Sequence, residues 1–415
     1  MKYRHLTNKK TGTLLFLLCW ALYCCCYFGR HNFSAALAGI ITEGVLSKTQ
    51  GGTISFCFFI CYGVGQVING ALGDRFSPFK MLTIGLALTA SANILMSFIT
   101  SPLLMTIIWA ANGFAQAMMW PPILIIFSQI LHEEQSHKAY VNISTAIPIG
   151  TLGTYLTSVA IMKYFDWRGV FVFAGVLLSL MLIVFVIVSL SVKSQIIREK
   201  CEEEEITKAE NSGEKQNMLR LFMVSGLVFT SVSVAIHGML KDGVTTWVPT
   251  MITEVYALSP SVSVLFTTLL PVVNLTGTYA AAYVYKKFIK NEMLGSILFF
   301  TIALPPLISM LFIGKMPPLL ASALLSVVTS SMFGANYLAI NLMPLHFERF
   351  GRVSTVSGAL NGIAYIGCAI SNYGFGWLSE RFGWTTVTLS WVTVCVIAII
   401  FYFISIPRWK RFCKE

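Results

Sequence analysis

The sequence predicts an all-α membrane protein of twelve spanning helices arranged as two six-helix halves. Three observations predict it. Of 415 residues, 56% are hydrophobic and 11% charged, against about 25% charged in soluble domains. Apolar runs of about 20 residues, the length that crosses a bilayer, recur along the whole chain. One long polar stretch, residues 193–217, divides it into parts of nearly equal length. A mean hydropathy of +0.73 sets aside the two or three soluble domains that length alone would suggest.

In order, the spans are expected near residues 13–41, 51–73, 80–99, 104–131, 140–162, 170–192, 219–252, 261–285, 293–313, 318–345, 355–378 and 385–406. Several hold proline: Pro121 with Pro122, Pro148, Pro249, Pro271, and Pro305 with Pro306. Bundled helices tolerate such breaks because neighbours satisfy the freed backbone groups. Residues 1–192 and 218–415 are the expected halves. The stretch 193–217, with its EEEE run, reads as a solvated linker. The halves also echo each other: YFDWRGVF follows the fifth span and ERFGWTTV the eleventh. Each is a short turn with a tryptophan opening the next helix. Two repeats of six helices match the major facilitator architecture.

The cations set the expected orientation. With both termini cytoplasmic, inside segments carry 22 Lys and Arg residues and outside loops carry five, Lys48, Lys163, Arg168, Lys315 and Arg381. That asymmetry obeys the positive-inside rule and reads the net charge of +11 as topology. It does not read as a nucleic-acid surface. Ten cysteines fall mostly inside apolar runs, without metal-ligand spacing, and read as small buried side chains. Neither disulfide nor metal is expected. The basic N-terminal tail precedes an apolar run too long for a signal core, and no cleavage site ends it. No P-loop or dinucleotide fingerprint is present, so no cofactor, ATP-driven pumping or enzyme activity is expected.

Two cations remain, Arg30 in the first span and Lys241 in the seventh, which are equivalent helices of the two repeats. A cation in hydrocarbon costs from about 2.5 to more than 10 kcal/mol, so it should face protein or a wet cavity. Arg30 lies about 12 residues from the nearer end of its span, roughly 18 Å, too far for its side chain to reach the interface. The acid inside a span is Asp242, beside Lys241, which offsets that lysine in part. The functional reading is a site for an anionic substrate at the repeat interface. A phosphate monoester carries nearly two negative charges at pH 7. Arginine offers it a planar fork and lysine a point charge.

Polar stripes accompany both cations. Tyr23, Tyr27, Arg30 and Ser34 share one face of the first span, and Tyr62, Gln66 and Asn69 one face of the second. Thr230, His237 and Lys241 share a face of the seventh; Asn361, Tyr365, Cys368 and Asn372 share one of the eleventh. Each stripe admits a cavity reading or a helix-packing reading. His31 and His237 likewise admit a structural or a proton-carrying role. His237, one turn before Lys241, is the site candidate.

The loop after the second span, GALGDRFSPFK at 70–80, resembles the major facilitator pattern G-x-x-x-D-R-x-G-R-R. That resemblance implies gating contacts from Asp74 and Arg75. Ser77 and Pro78 depart from the pattern. The counterpart YKKFIKN at 285–291 keeps charge but no acid.

A closer resemblance covers essentially the whole chain. YCCCYFGRHNFS at 23–34, Tyr62-Gly63, GDRFSP, MMWPP at 118–122, WVPT at 247–250 and SGALNGIAYIG at 357–367 resemble the organophosphate:phosphate antiporter family of the major facilitator superfamily. The resemblance implies twelve helices and transport of a phosphorylated small organic anion, a sugar phosphate or glycerol phosphate, in exchange for inorganic phosphate. It implies a bacterial inner-membrane protein acting as a monomer, with the bilayer and small anions as partners. It carries one phosphate-binding arginine onto Arg30 and the other onto Lys241, where lysine replaces arginine and Asp242 stands beside it. The cavity tyrosines carry onto Tyr23, Tyr27, Tyr62 and Tyr365. A lysine after the first arginine is His31 here, a second-span lysine is Gln66, and a fifth-span histidine has no match near Ala146. The alternatives are a proton-coupled transporter of another anion or drug, using Asp242 and His237, and a non-transporting sugar-phosphate sensor.

Overall fold

The computed structural model describes residues 2–3, 9–73, 76–193, 198–199, 218–350 and 352–414. Among them run twelve long helices. In the first part of the chain these are α1 Lys9–Thr42, α2 Lys48–Gly73, α3 Pro78–Phe98, α4 Pro102–Gln129, α5 Glu134–Tyr164 and α6 Trp167–Lys193. In the second they are α7 Leu227–Tyr256, α8 Pro260–Lys287, α9 Glu292–Lys315, α10 Pro318–Phe350, α11 Val353–Phe382 and α12 Trp384–Lys414. Eleven are long and apolar enough to cross a membrane. The chain is a multi-pass integral membrane protein. α11 is 30 residues long but is diluted by glycine, serine and asparagine, so composition alone does not mark it.

Proline accounts for where several helices start and break. Pro78, Pro102, Pro260 and Pro318 sit in the first turn, where a missing N–H removes no intrahelical bond. Pro121 and Pro122 cannot donate to the carbonyls one turn back, and α4 loosens into a turn between Gln116 and Trp120. Pro271 similarly follows the break between Thr267 and Leu269 in α8. The seventh span does not run unbroken from residue 219. A short helix Met218–Ser225 ends at Gly226, whose φ of 79° is left-handed. Glycine suits that position twice over, because a Cβ would stand 3.1 Å from Cβ of Arg408.

Most of the expected linker lies outside the described residues. Of it, Arg198–Glu199 pairs antiparallel with Lys2–Tyr3.

The chain forms two compact units. One comprises Met1–Glu202 with Ser259–Thr268, the other Glu203–Leu258 with Leu269–Glu415. In the first, α1 packs on α5 and α6, α2 on α4, and α3 on α4 and α6. In the second, α7 packs on α11 and α12, α8 on α10, and α9 on α10 and α12. Every pairing recurs six helices later. The first unit centres on Leu15, Leu22, Leu86, Ile123, Phe127 and Leu178, all fully buried. Its segment from α8 contributes Val264, packed with Ala35 and Tyr155.

Candidate functional site

In the first unit, α1 presents Arg30 into an aromatic cage. Its guanidinium carbon lies 4.6 Å from the Tyr62 ring centre, 5.5 Å from Phe59, 5.7 Å from Phe58 and 5.9 Å from Tyr27. Three of the four rings come from α2. A guanidinium is weakly hydrated and stacks on such faces, so the rings hold the cation at mid-helix. Tyr23 and Tyr27, one turn apart, meet edge to face at 5.4 Å with their hydroxyls 3.4 Å apart. Tyr27 also stacks on His31 at 5.6 Å, and Tyr23 packs on Trp120 at 5.2 Å. The structure thus brings Tyr23, Tyr27, Arg30 and Tyr62 together. Gln66, one turn beyond Tyr62, is half-buried.

The turn bearing Arg30 is clamped from behind by amides that sequence reading passed over. Asn93 and Asn112 both donate to the Gly29 carbonyl, at 3.3 and 2.9 Å, and Gln116 donates to the Cys26 carbonyl at 3.0 Å. Asn32 donates to Asn93 at 2.7 Å. All four amides are almost wholly buried, where hydrogen bonds between helices fix their positions. The signal was available: Asn112 and Gln116 stand one turn apart in an apolar span.

In the second unit, Lys241 lies where α7 widens. Met239–Gly243 forms a π-turn between two α-helical stretches. Gly238 and Gly243 frame it. A Cβ at Gly238 would overlap the Ala364 carbonyl, and one at Gly243 the Ser371 hydroxyl, both on α11. Close backbone approach explains the glycines and supports the wide turn, a feature that frequents functional sites. Lys241 Nζ stands 3.3 Å from Asp242 Oδ2 and 5.2 Å from the Phe333 ring centre. Consecutive side chains diverge on an α-helix; the wider turn narrows their angle.

His237 is fully buried, and its Nε2 lies 2.9 Å from Asn336 Oδ1 on α10. It braces α7 against α10 one turn before Lys241. Asn361 and Tyr365 are half-buried on α11, either side of the carbonyl-bearing turn at Ala364. Asp74 and Arg75 lie outside the described residues.

The acid lacking in YKKFIKN stands just after it. Glu292 is 2% exposed and accepts from Tyr285 at 2.6 Å, His346 Nε2 at 2.8 Å and Trp409 at 3.1 Å. It joins α8, α9, α10 and α12 at one end of the unit.

Known proteins resemble the chain in both sequence and fold. It is 26% identical to the glycerol-3-phosphate transporter of Bacillus subtilis (strain 168) over 93% of this chain and 90% of that one. It is 30% identical to a "Probable hexose phosphate transport protein" of Chlamydia trachomatis, over 37% of this chain and 34% of that one. Against two further curated relatives the match spans 36% and 37% of their length, about a third. A bacterial homologue of the human lysosomal transporter Spinster, solved inward-facing and unoccupied, superposes with a TM-score of 0.82 at 15% identity, over 98% of this chain and 99% of that one. That likeness establishes the fold. The profile of the Major Facilitator Superfamily matches residues 19–372. With the six-helix packing pattern repeated in both halves, the match leaves one reading: the chain belongs to the major facilitator superfamily.

Proposed function

We propose that the protein is a secondary transporter of a phosphorylated small organic anion, a sugar phosphate or glycerol phosphate, exchanged for inorganic phosphate by alternating access. The observation that carries the proposal is one cation at mid-depth in the first helix of each half, Arg30 and Lys241. Arg30 would grip phosphoryl oxygens with its fork while Lys241 adds a point charge. Tyr23, Tyr27, Tyr62, Gln66, Asn361 and Tyr365 would supply hydroxyls and amides to the rest of the substrate. His237 would act through Asn336, holding the turn that carries Lys241. The relatives named for glycerol phosphate and hexose phosphate support the substrate class. The 22-to-5 asymmetry of Lys and Arg supports cytoplasmic termini, and the bacterial relatives support an inner-membrane location. The protein acts as a monomer in this reading, and Asp74 and Arg75 contribute to gating.

Counterflow tests it. Proteoliposomes loaded with inorganic phosphate should take up labelled glycerol 3-phosphate or glucose 6-phosphate, and unloaded vesicles should not. Absence of flux with every phosphate ester would overturn the proposal. Uptake that follows the pH gradient and ignores internal phosphate would favour proton coupling.

A further inference from the structure

The cation in the second unit does not stand as a bare positive charge. Lys241 and Asp242 pair at 3.3 Å, and each side chain keeps 16% of its surface exposed. Both are therefore reachable, and together they carry no net charge. Phe333 lies 5.2 Å from Lys241 Nζ and limits where the ammonium can swing. Arg30, by contrast, is ringed by aromatic faces. Aromatic rings thus pack on Arg30, and a carboxylate neighbours Lys241.

That carboxylate changes what the site selects. An oxygen of a phosphoryl group approaching Lys241 is attracted by Nζ and repelled by Asp242 a few ångströms away. The charge of the ligand gains less from this pair than from a lysine alone. A ligand that brings a hydroxyl donor to Asp242 converts the repulsion into a charge-assisted hydrogen bond, about twice as strong as a neutral one. A carboxylate that repels the oxygens of one ligand and accepts a hydroxyl from another discriminates between the two.

Resting on the organophosphate reading above, we infer that Asp242 is a specificity residue that selects polyol and sugar phosphates, whose hydroxyl donates to its carboxylate, over phosphate esters without one. The pair lies within the π-turn Met239–Gly243 of α7.

The test uses the purified full-length protein and isothermal calorimetry. Glycerol 3-phosphate is compared with n-propyl phosphate, and glucose 6-phosphate with cyclohexylmethyl phosphate. Each pair shares the phosphoryl group and approximate size and differs in hydroxyls. The wild type should prefer the hydroxylated member of at least one pair by about tenfold, the size of a hydrogen bond to a charged group. In Asp242→Asn, the ester without hydroxyls should bind about tenfold tighter, because Lys241 is freed, and the preference should fall to about twofold. Asp242→Ser should show the same loss of preference, and Asp242→Glu should retain it. An unchanged preference in a folded Asn or Ser variant overturns the inference alone, as does a wild type that binds both members of each pair equally. A wild type that binds none of the four overturns the organophosphate reading and this inference with it.

Discussion

Trp167 donates its indole N–H to the Glu43 carboxylate at 2.9 Å, tying the C-terminal end of α1 to the start of α6. Six helices later Trp384 donates to Glu254 at 2.8 Å and ties α7 to α12 in the same way. Both indoles are nearly buried, at 1% and 7% exposure, so packing and the hydrogen bond both hold them. Trp167→Phe and Trp384→Phe should each lower stability by about 1 kcal/mol. The losses should add in the double variant, because the two hydrogen bonds lie in different compact units. Thermal unfolding in detergent reads this; a loss confined to one variant would break the equivalence of the two ends.

The proposed anion contacts predict asymmetric responses. Arg30→Ala and Lys241→Ala should each abolish counterflow while leaving protein yield and melting temperature near wild type. Arg30→Lys should reduce flux at least tenfold, since a point charge cannot replace the two-pronged contact. Lys241→Arg lengthens the side chain beside Asp242 and Phe333 and gains a fork; improved exchange of inorganic phosphate is the expected outcome. Wild-type transport in either alanine variant would remove that residue from the site.

The amide clamp behind Arg30 predicts an effect without any direct contact. Gln116→Met and Asn112→Leu keep volume but withdraw the donors to the Cys26 and Gly29 carbonyls. Each should cost about 1 kcal/mol of stability and lower counterflow several-fold by loosening the turn that aims Arg30. The drop should lie in phosphate affinity. Gln116→His, which keeps an N–H donor, should retain part of that affinity. Unaltered affinity with lowered stability would make the clamp purely structural.

Much of the fold was legible because lipid leaves few options. Backbone groups in hydrocarbon must pair within the helix, so the spans stand out as apolar runs of adequate length, and prolines mark the breaks in α4 and α8. The tyrosine face around Arg30 was legible for the same reason, since three- and four-residue spacing fixes a helix face. What escaped depends on contacts between distant residues. Nothing local separates a π-turn at Met239–Gly243 from an ordinary helix, and the close approach of Gly238 and Gly243 to α11 involves residues more than 100 positions away. The sequence places Asp242 beside Lys241, but not the 3.3 Å contact of their side chains within that turn. Glu292 gives no local sign of its role, since its donors lie 7, 54 and 117 residues away.

Glu292 should matter to stability more than its position at the start of α9 suggests. Glu292→Ala leaves Tyr285, His346 and Trp409 without their shared acceptor and should cost about 3 kcal/mol or more. Glu292→Gln keeps a carbonyl acceptor and should cost roughly half of that. Denaturation monitored by tryptophan fluorescence suits the test, since Trp409 is one of the donors. A mild effect from the alanine change would mean that the three donors find other partners.

Two glycines of the second half should respond to alanine with opposite signs. At Gly374 a Cβ meets nothing within 4 Å, so Gly374→Ala should raise stability by up to about 1 kcal/mol through helix propensity. At Gly238 the same Cβ would overlap the Ala364 carbonyl of α11, and backbone must move to admit it. Gly238→Ala should cost about 1–3 kcal/mol, the usual range for overpacking. Because the displaced backbone leads directly into Met239–Gly243, it should also disturb the Lys241–Asp242 pair and lower counterflow. The alternative is that α7 shifts along α11 as a rigid rod. Stability would then fall while transport stayed at the wild-type rate, and the π-turn would be a consequence of packing with no part in placing Lys241.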